Sequence, residues 1–252
     1  MDARPLAVIT GGSSGIGLAL ARRLATRQWR LALVARGIER LEAAAIALPV
    51  ETSVHACDVG DPDAVLALAA DLLALGEGRI DLLACNAGIP GRSGALDVNP
   101  TVARTVMDIN YHGMVGLTRA LWPGLVKAQG RVVNVCSVAG TVALARSAPY
   151  AASKHAALAW SRALGAVAPT DGVRVLTVNP GPVTTAGFPQ TRLLAHPIGR
   201  RLVVTDEQCA SAIIRGLENR RREIFVPQWW RLAGIAQAIA PETLARLAAR
   251  AG

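Results

Sequence analysis

Residues 5–28 read PLAVITGGSSGIGLALARRLATRQ. The first six are an apolar run of the kind a fully buried strand uses, and it stops at glycines. From Ile16 onward the apolar residues recur at helical spacing, so the stretch reads strand, glycine turn, helix. The pattern then repeats. WRLALVA (29–35) is a strand and IERLEAAAIAL (38–48) a helix. VETSVHACDV (50–59) holds a third strand. Asp61-Pro62 opens a helix, because Asp can cap its free N–H groups and Pro suits its first turn. RIDLLACNAG (79–88), GRVVNVCSV (130–138), GVRVLTVNPG (172–181) and EIFVP (223–227) supply four more strands. Long helices are expected over 101–126 and 150–167. Such alternation predicts an α/β fold, a doubly wound parallel sheet of about seven strands with helices on both faces. Ligands then bind beyond the carboxyl ends of the strands.

The chain has 252 residues, of which 52% are hydrophobic and 18% charged, enough for a sizeable core. Residues 1–227 are expected to form a single domain, with a substrate loop over about 182–203. Residues 228–252 form an amphipathic helical extension. The start shows no signal-length apolar run, and no stretch has about 18 consecutive apolar residues. Cys57, Cys85, Cys136 and Cys209 match no metal or redox spacing, so no metal is expected, and a reduced, cytoplasmic setting fits. The net charge of +9 comes from 25 arginines and two lysines. Only Arg220-Arg221-Arg222 forms a run, which reads as a solvated helix end. With no basic stripe and no base-stacking aromatics, nucleic acid is not an expected partner.

The first strand ends in Thr10-Gly11-Gly12-Ser13-Ser14-Gly15-Ile16-Gly17. At a strand-to-helix turn these glycines let the backbone approach a pyrophosphate, while the helix start aims N–H groups at it. A tight turn with close helix–strand packing is the plainer reading of the same residues. The second strand ends in Ala35-Arg36 with no carboxylate for ribose hydroxyls. Arg36 suits a 2′-phosphate, which favours NADP(H) over NAD(H). Cys57-Asp58-Val59 closes the third strand. There Asp58 can accept from an adenine amino group or simply shape a turn. Asn86-Ala87-Gly88 closes the fourth with small residues beside the cofactor.

Ser137 ends the fifth strand, the following helix carries Tyr150 and Lys154, and the preceding helix carries Asn110. Carbonyl reduction needs a proton donor for the developing alkoxide and a dipole on the carbonyl. An ammonium one turn from a phenol favours the phenolate and lowers its pKa. Together TGGSSGIG, CDV, NAG, DIN, Ser137, YAASK and NPGPVTT resemble the short-chain dehydrogenase/reductase family, in its short, NADP-preferring, Rossmann-type branch. The resemblance spans residues 5 to about 226. It implies Tyr150 as general acid/base, Lys154 as ribose anchor and pKa modulator, and Ser137 as carbonyl stabiliser. Asn110 is implied to distort its helix and hold a water in the proton relay. Pro180, Gly181, Val183 and Thr184 are implied to embrace the nicotinamide. Ser14 stands where some NADP-preferring members carry a basic residue, so cofactor preference rests on Arg36.

The segment 186–201 should fold over the substrate. It holds Phe188, Leu193, Leu194 and Ile198, with Arg192, Arg200 and Arg201. With Ile89, Val138 and Ala139 it suggests a pocket for an uncharged hydrophobic ketone or alcohol. The expected activity is oxidoreduction of a carbonyl and an alcohol. A membrane-associated lipid-ketone reductase and a non-catalytic NADP-binding regulator are the alternatives. The presence of all four catalytic candidates counts against the regulator. In the tail, Trp229, Trp230, Leu232, Ile235 and Ile239 recur at roughly helical spacing, and Leu244 and Leu247 continue the pattern beside Arg246 and Arg250. It can cap the pocket, pack on a second subunit, or make peripheral membrane contact. The resemblance implies a homodimer or homotetramer built on the two long helices, with Trp122 and Trp160 at or near the interface.

Overall fold

The structure, a computed structural model, describes residues 4–91, 93–185, 187–243 and 246; of Arg192 and Ile198 it describes the backbone alone. The expectations for Ala186, Leu244, Leu247 and Arg250, and for the Arg192 and Ile198 side chains, lie outside the described residues. In chain order the elements are β1 (Leu6–Thr10), α1 (Gly15–Ala25), β2 (Arg30–Ala35), α2 (Ile38–Ile46), β3 (Thr52–Ala56), α3 (Pro62–Leu75), β4 (Leu82–Cys85), α4 (Pro100–Met107), α5 (Gly113–Ala128), β5 (Arg131–Val135) and α6 (Ala148–Val167). There follow β6 (Arg174–Pro180), β7 (Val183–Thr184), α7 (Thr191–Leu194), α8 (Pro197–Leu202), β8 (Val204–Thr205), α9 (Asp206–Glu218), β9 (Glu223–Val226) and α10 (Arg231–Ile239).

Seven parallel strands form one sheet in the order β3-β2-β1-β4-β5-β6-β9. Order reverses between β1 and β4, and a crevice opens there at the carboxyl ends. Alternation along β1 shows how the core is divided. Leu6 and Val8 join α3, α5 and α6 on one face, whereas Ala7 and Ile9 join α1, α2 and α9 on the other. All four residues are at most 2% exposed. A fully buried side chain of the size of Ile9 contributes about 1.5–3 kcal/mol.

The expected helix start at Asp61 is present, its carboxylate accepting from the N–H groups of Asp63 (3.0 Å) and Ala64 (3.3 Å). Two features depart from the sequence reading. The single helix expected over 101–126 is two helices joined by a π-helical turn, Asp108–His112, with Asn110 inside it. The sequence reading did not delimit helix α9; it read Arg220-Arg221-Arg222 as a helix end, but α9 ends at Glu218 and those arginines lie in the turn after it. The helix begins at a capping box in which Thr205 and Gln208 exchange hydrogen bonds at 3.1 and 2.9 Å. Among the described residues no helix is long and apolar enough to cross a membrane, and no group of acidic, His and Cys side chains could hold a metal ion.

Candidate active site

The turn between β1 and α1 depends on glycine at two positions in particular. Gly11 and Gly15 have φ of 66° and 53°, the left-handed region that side chains disfavour. A Cβ on Gly11 would stand 2.7 Å from the Asn86 amide, and one on Gly15 would stand 2.8 Å from the Thr185 methyl. Thr10 and Asn86 fasten this loop to β4. The Thr10 hydroxyl accepts from the N–H groups of Asn86 (2.9 Å) and Ala87 (3.0 Å), and the Asn86 amide donates to the Thr10 carbonyl at 3.0 Å. Ser14, the N-cap of α1, makes no side-chain cap bond, so no side-chain cap occupies the N–H groups at the helix start. Ser14, Gly15 and Ile16 line a cavity of about 480 Å³. A loop surfaced by backbone beside an uncapped helix start fits an anionic phosphate linkage.

Asn86, Ala87, Gly88, Ser137, Val138, Ala139, Tyr150, Lys154, Pro180, Gly181, Val183 and Phe188 line the same cavity. Ser137 caps the 3-10 turn Val138–Gly140, its hydroxyl accepting from the Ala139 N–H at 3.0 Å. Lys154 is only 4% exposed, and its ammonium donates to the Val135 carbonyl at 3.0 Å. That bond uses one of three ammonium donors. The ammonium lies 5.9 Å from the centre of the Tyr150 ring. The Phe188 ring centre is 5.6 Å from that of the phenol, at a tilt of 53°.

Tyr150 differs from the expected lowering. Burial pushes its pKa up to about 12, against a smaller downward pull from the Ser137 hydrogen bond. Burial also lowers the Lys154 pKa. Both shifts have one cause: the low-polarity cavity wall disfavours either charged form. Cys136, next to Ser137, is held as a neutral thiol by the same burial, its pKa pushed up to about 12.

Asn110 is fully buried, and its side chain is committed within the protein. Its amide donates to the Ile89 carbonyl and the Ser153 hydroxyl, both at 3.0 Å, and its oxygen accepts from the Ile89 N–H at 2.8 Å. Ser153 in turn donates to the Tyr150 carbonyl at 2.8 Å. The side chain thus clamps the end of β4 to the helix that carries the phenol.

Several expected site residues sit elsewhere. Ile89 does not line the cavity; its side chain packs on the core while its backbone binds Asn110. Thr184 is exposed, and Thr185 lines the cavity in its place, because neighbouring residues on a strand face opposite ways. Thr10, Ser13, Gly17, Cys57, Val59 and Asn110 stand behind the wall or outside it. Arg36 is exposed at the end of β2, 4.0 Å from Asp58. Asp58 shapes a turn, accepting from the Gly60 N–H at 2.9 Å. Trp122 donates its indole N–H to Asp171 at 2.9 Å, and Trp160 is half-buried against the core.

Gln190, from the segment expected to fold over the substrate, and Trp230, from the tail that can cap the pocket, also line the cavity, with Val142 and Leu144 of the loop after Ser137; Pro90 is an addition the sequence reading did not make. Trp230 lies so close to Gly181 that no side chain would fit there, and among the described residues its buried indole N–H has no hydrogen-bond partner. Helix α10 follows directly and packs on Thr141, just past the Ser137 turn: a Cβ on Gly234 would stand 2.9 Å from the Thr141 Cβ.

A protein-family model described as short chain dehydrogenase matches residues 5–193. The bovine dehydrogenase/reductase SDR family member 7B is 37% identical over 188 residues, covering 71% of this chain and 58% of its own. This chain thus spans little more than half of that relative. A putative ketoacyl reductase of the granaticin polyketide synthase from Streptomyces violaceoruber is 35% identical over 191 residues, covering 73% and 69%. Among solved structures, a variant actinorhodin polyketide ketoreductase with NADPH superposes with a TM-score of 0.81 at 27% identity, covering 91% of this chain and 98% of the other.

Proposed function

The chain belongs to the short-chain dehydrogenase family, and from that premise we propose that it is an NADP(H)-dependent oxidoreductase that reduces an uncharged, hydrophobic ketone or aldehyde to an alcohol. The observation that carries the reading is the meeting of Ser137, Tyr150 and Lys154 in one apolar cavity with the uncapped start of α1. Structural relatives solved with NADPH support the cofactor. The glycine loop and the helix start would hold its phosphates, Arg36 its 2′-phosphate, and Lys154 its ribose hydroxyls. When bound, it supplies a hydride.

The protein's own groups do the rest. Ser137 donates a hydrogen bond to the substrate carbonyl oxygen. Tyr150 is a neutral phenol at neutral pH and gives its proton to that oxygen as negative charge develops. A raised pKa suits an acid and makes the reverse reaction depend on alkaline conditions. The Lys154 ammonium stabilises the phenolate left behind. Asn110 and Ser153 fix the height of Tyr150 by binding the backbone around it. Phe188, Val138, Leu144 and Trp230 exclude water and favour an apolar substrate. Dimers or tetramers form through α5 and α6. A panel of aryl and alkyl ketones with NADPH tests the reading. Turnover should rise with apolar size up to the cavity limit; preference for charged carbonyl compounds, or no turnover of any ketone, contradicts it.

A second reading adds a membrane surface. Leu232, Ile235 and Ile239 on α10 are 63%, 44% and 79% exposed, next to the cavity wall. An apolar helix face at the mouth would let a lipid ketone enter from a bilayer. Co-sedimentation of the full chain with liposomes supports this reading only if the triple change Leu232→Ser, Ile235→Ser and Ile239→Ser removes it.

A further inference from the structure

At the opposite end of the strands, where β5 and β6 begin, a second cavity of about 220 Å³ has Val175, Leu176 and Leu217 among its lining. Five guanidinium groups border it: Arg131, Arg174, Arg220, Arg221 and Arg222. Arg131 and Arg174 stand directly opposite each other in the parallel register. Neighbouring strands are about 4.8 Å apart, so these two side chains leave the sheet side by side, an arrangement that costs stability between like charges. The other three come from the turn between α9 and β9, where Arg220 takes the left-handed conformation at φ 52°.

The carboxylates that flank this cluster are already engaged. Glu218 binds Arg27 at 2.9 Å, Glu223 binds Arg162 at 2.8 Å, and Asp81 binds Arg79 at 3.2 Å. Asp171 accepts from Trp122. Among the described residues, none of the five guanidiniums makes an ion pair or a side-chain hydrogen bond. Burial first, and then the nearby charges of Arg174 and Arg220, lower the Arg131 pKa.

We propose that this cavity is a second ligand site, for a small anion carrying two or more phosphoryl groups. The guanidinium fork matches phosphate oxygens two at a time, and several forks around one hollow favour a multivalent anion over a single carboxylate. The concave shape and small volume favour a small molecule over a nucleic-acid strand, which needs a long basic track. The site lies at the other end of the strands from the catalytic cavity and does not depend on the activity proposed above.

Titration calorimetry of the full chain with inorganic pyrophosphate and tripolyphosphate, with and without NADPH, tests this. A saturable one-to-one event should persist when NADPH is saturating, and should be unchanged in Arg36→Ala. It should weaken at least tenfold in the pair Arg131→Gln and Arg174→Gln, and again in the exposed pair Arg221→Gln and Arg222→Gln. Circular dichroism checks that both fold. Vesicles bearing phosphoinositides distinguish a lipid headgroup from a soluble ligand. Binding of either source that is lost in both pairs supports the site. It is overturned if pyrophosphate does not bind the parent, binds both pairs unchanged, or is outcompeted by a short duplex DNA at equal phosphate concentration. It is also overturned if the substitutions only separate subunits.

Discussion

At the carboxyl ends of β4, β5 and β6 a single ammonium, Lys154, is buried and held 3.0 Å from the Val135 carbonyl. At the amino ends of β5 and β6, five arginines border a smaller cavity, and among the described residues none of them has a carboxylate partner. The first region isolates one cation in apolar walls, where burial works against its charge and against the phenolate beside it. The second gathers cations around an open hollow, Arg131 half-buried and the other four exposed. Burial is therefore what gives the first region chemistry: in a low-polarity cavity a proton moved between two groups has large electrostatic consequences.

The contrast can be broken most sharply at the phenol. Tyr150→Phe leaves the cavity walls in place and removes only the phenolic hydroxyl. Turnover should fall about 10²–10⁴-fold while NADPH still binds; near-normal turnover would remove Tyr150 from the chemistry. Next in size is Arg36→Ala, which should cost NADPH about tenfold to a hundredfold in affinity, the value of one or two charged hydrogen bonds, and leave NADH almost unchanged. Equal losses for the two cofactors would mean that Arg36 does not read the phosphate. Alcohol oxidation sharpens the burial argument, because it requires the phenolate. With Tyr150 raised to about 12, its rate should climb about tenfold per pH unit on the alkaline side without levelling near pH ~10, where an ordinary phenol ionises. A plateau there would show that the cavity does not hold the phenol neutral. The smallest change is expected from Trp230→Ala, which opens the wall beside Gly181. The ratio of kcat/KM for bulky over small ketones should rise about tenfold; an unchanged ratio would place Trp230 outside the substrate space.

The sequence carried the architecture because its punctuation is local. Gly11, Gly15, Asp61 and Pro62 mark turns and caps that need no tertiary information, and all seven main strands lie within the apolar runs. Tyr150, Lys154 and Ser137 were legible because their chemistry is unusual for their surroundings. Helix α9 was not delimited although Thr205 and Gln208 form its capping box, a pattern readable from spacing alone. Three other misses have tertiary causes. Thr184 and Thr185 differ only in which way the strand turns each side chain. Ile89 was expected in the pocket, but the Asn110 side chain binds its backbone and its side chain packs on the core. Trp230 reaches Gly181 from a tail whose path no local pattern fixes. The arginines looked scattered because Arg131 and Arg174 become neighbours only through the register of β5 and β6. The sign of the Tyr150 shift was also invisible, since spacing shows the lysine but not the depth of burial.

The most direct test of the central claim follows the hydride. NADPH deuterated at the transferable position is supplied with a hydrophobic ketone, and the alcohol is analysed by mass spectrometry and NMR. The account predicts one deuterium on the carbinol carbon in the parent, none exchanged with solvent, and no labelled alcohol beyond background in Tyr150→Phe. Unlabelled alcohol from the parent, or labelled alcohol made equally well without the phenol, would contradict it.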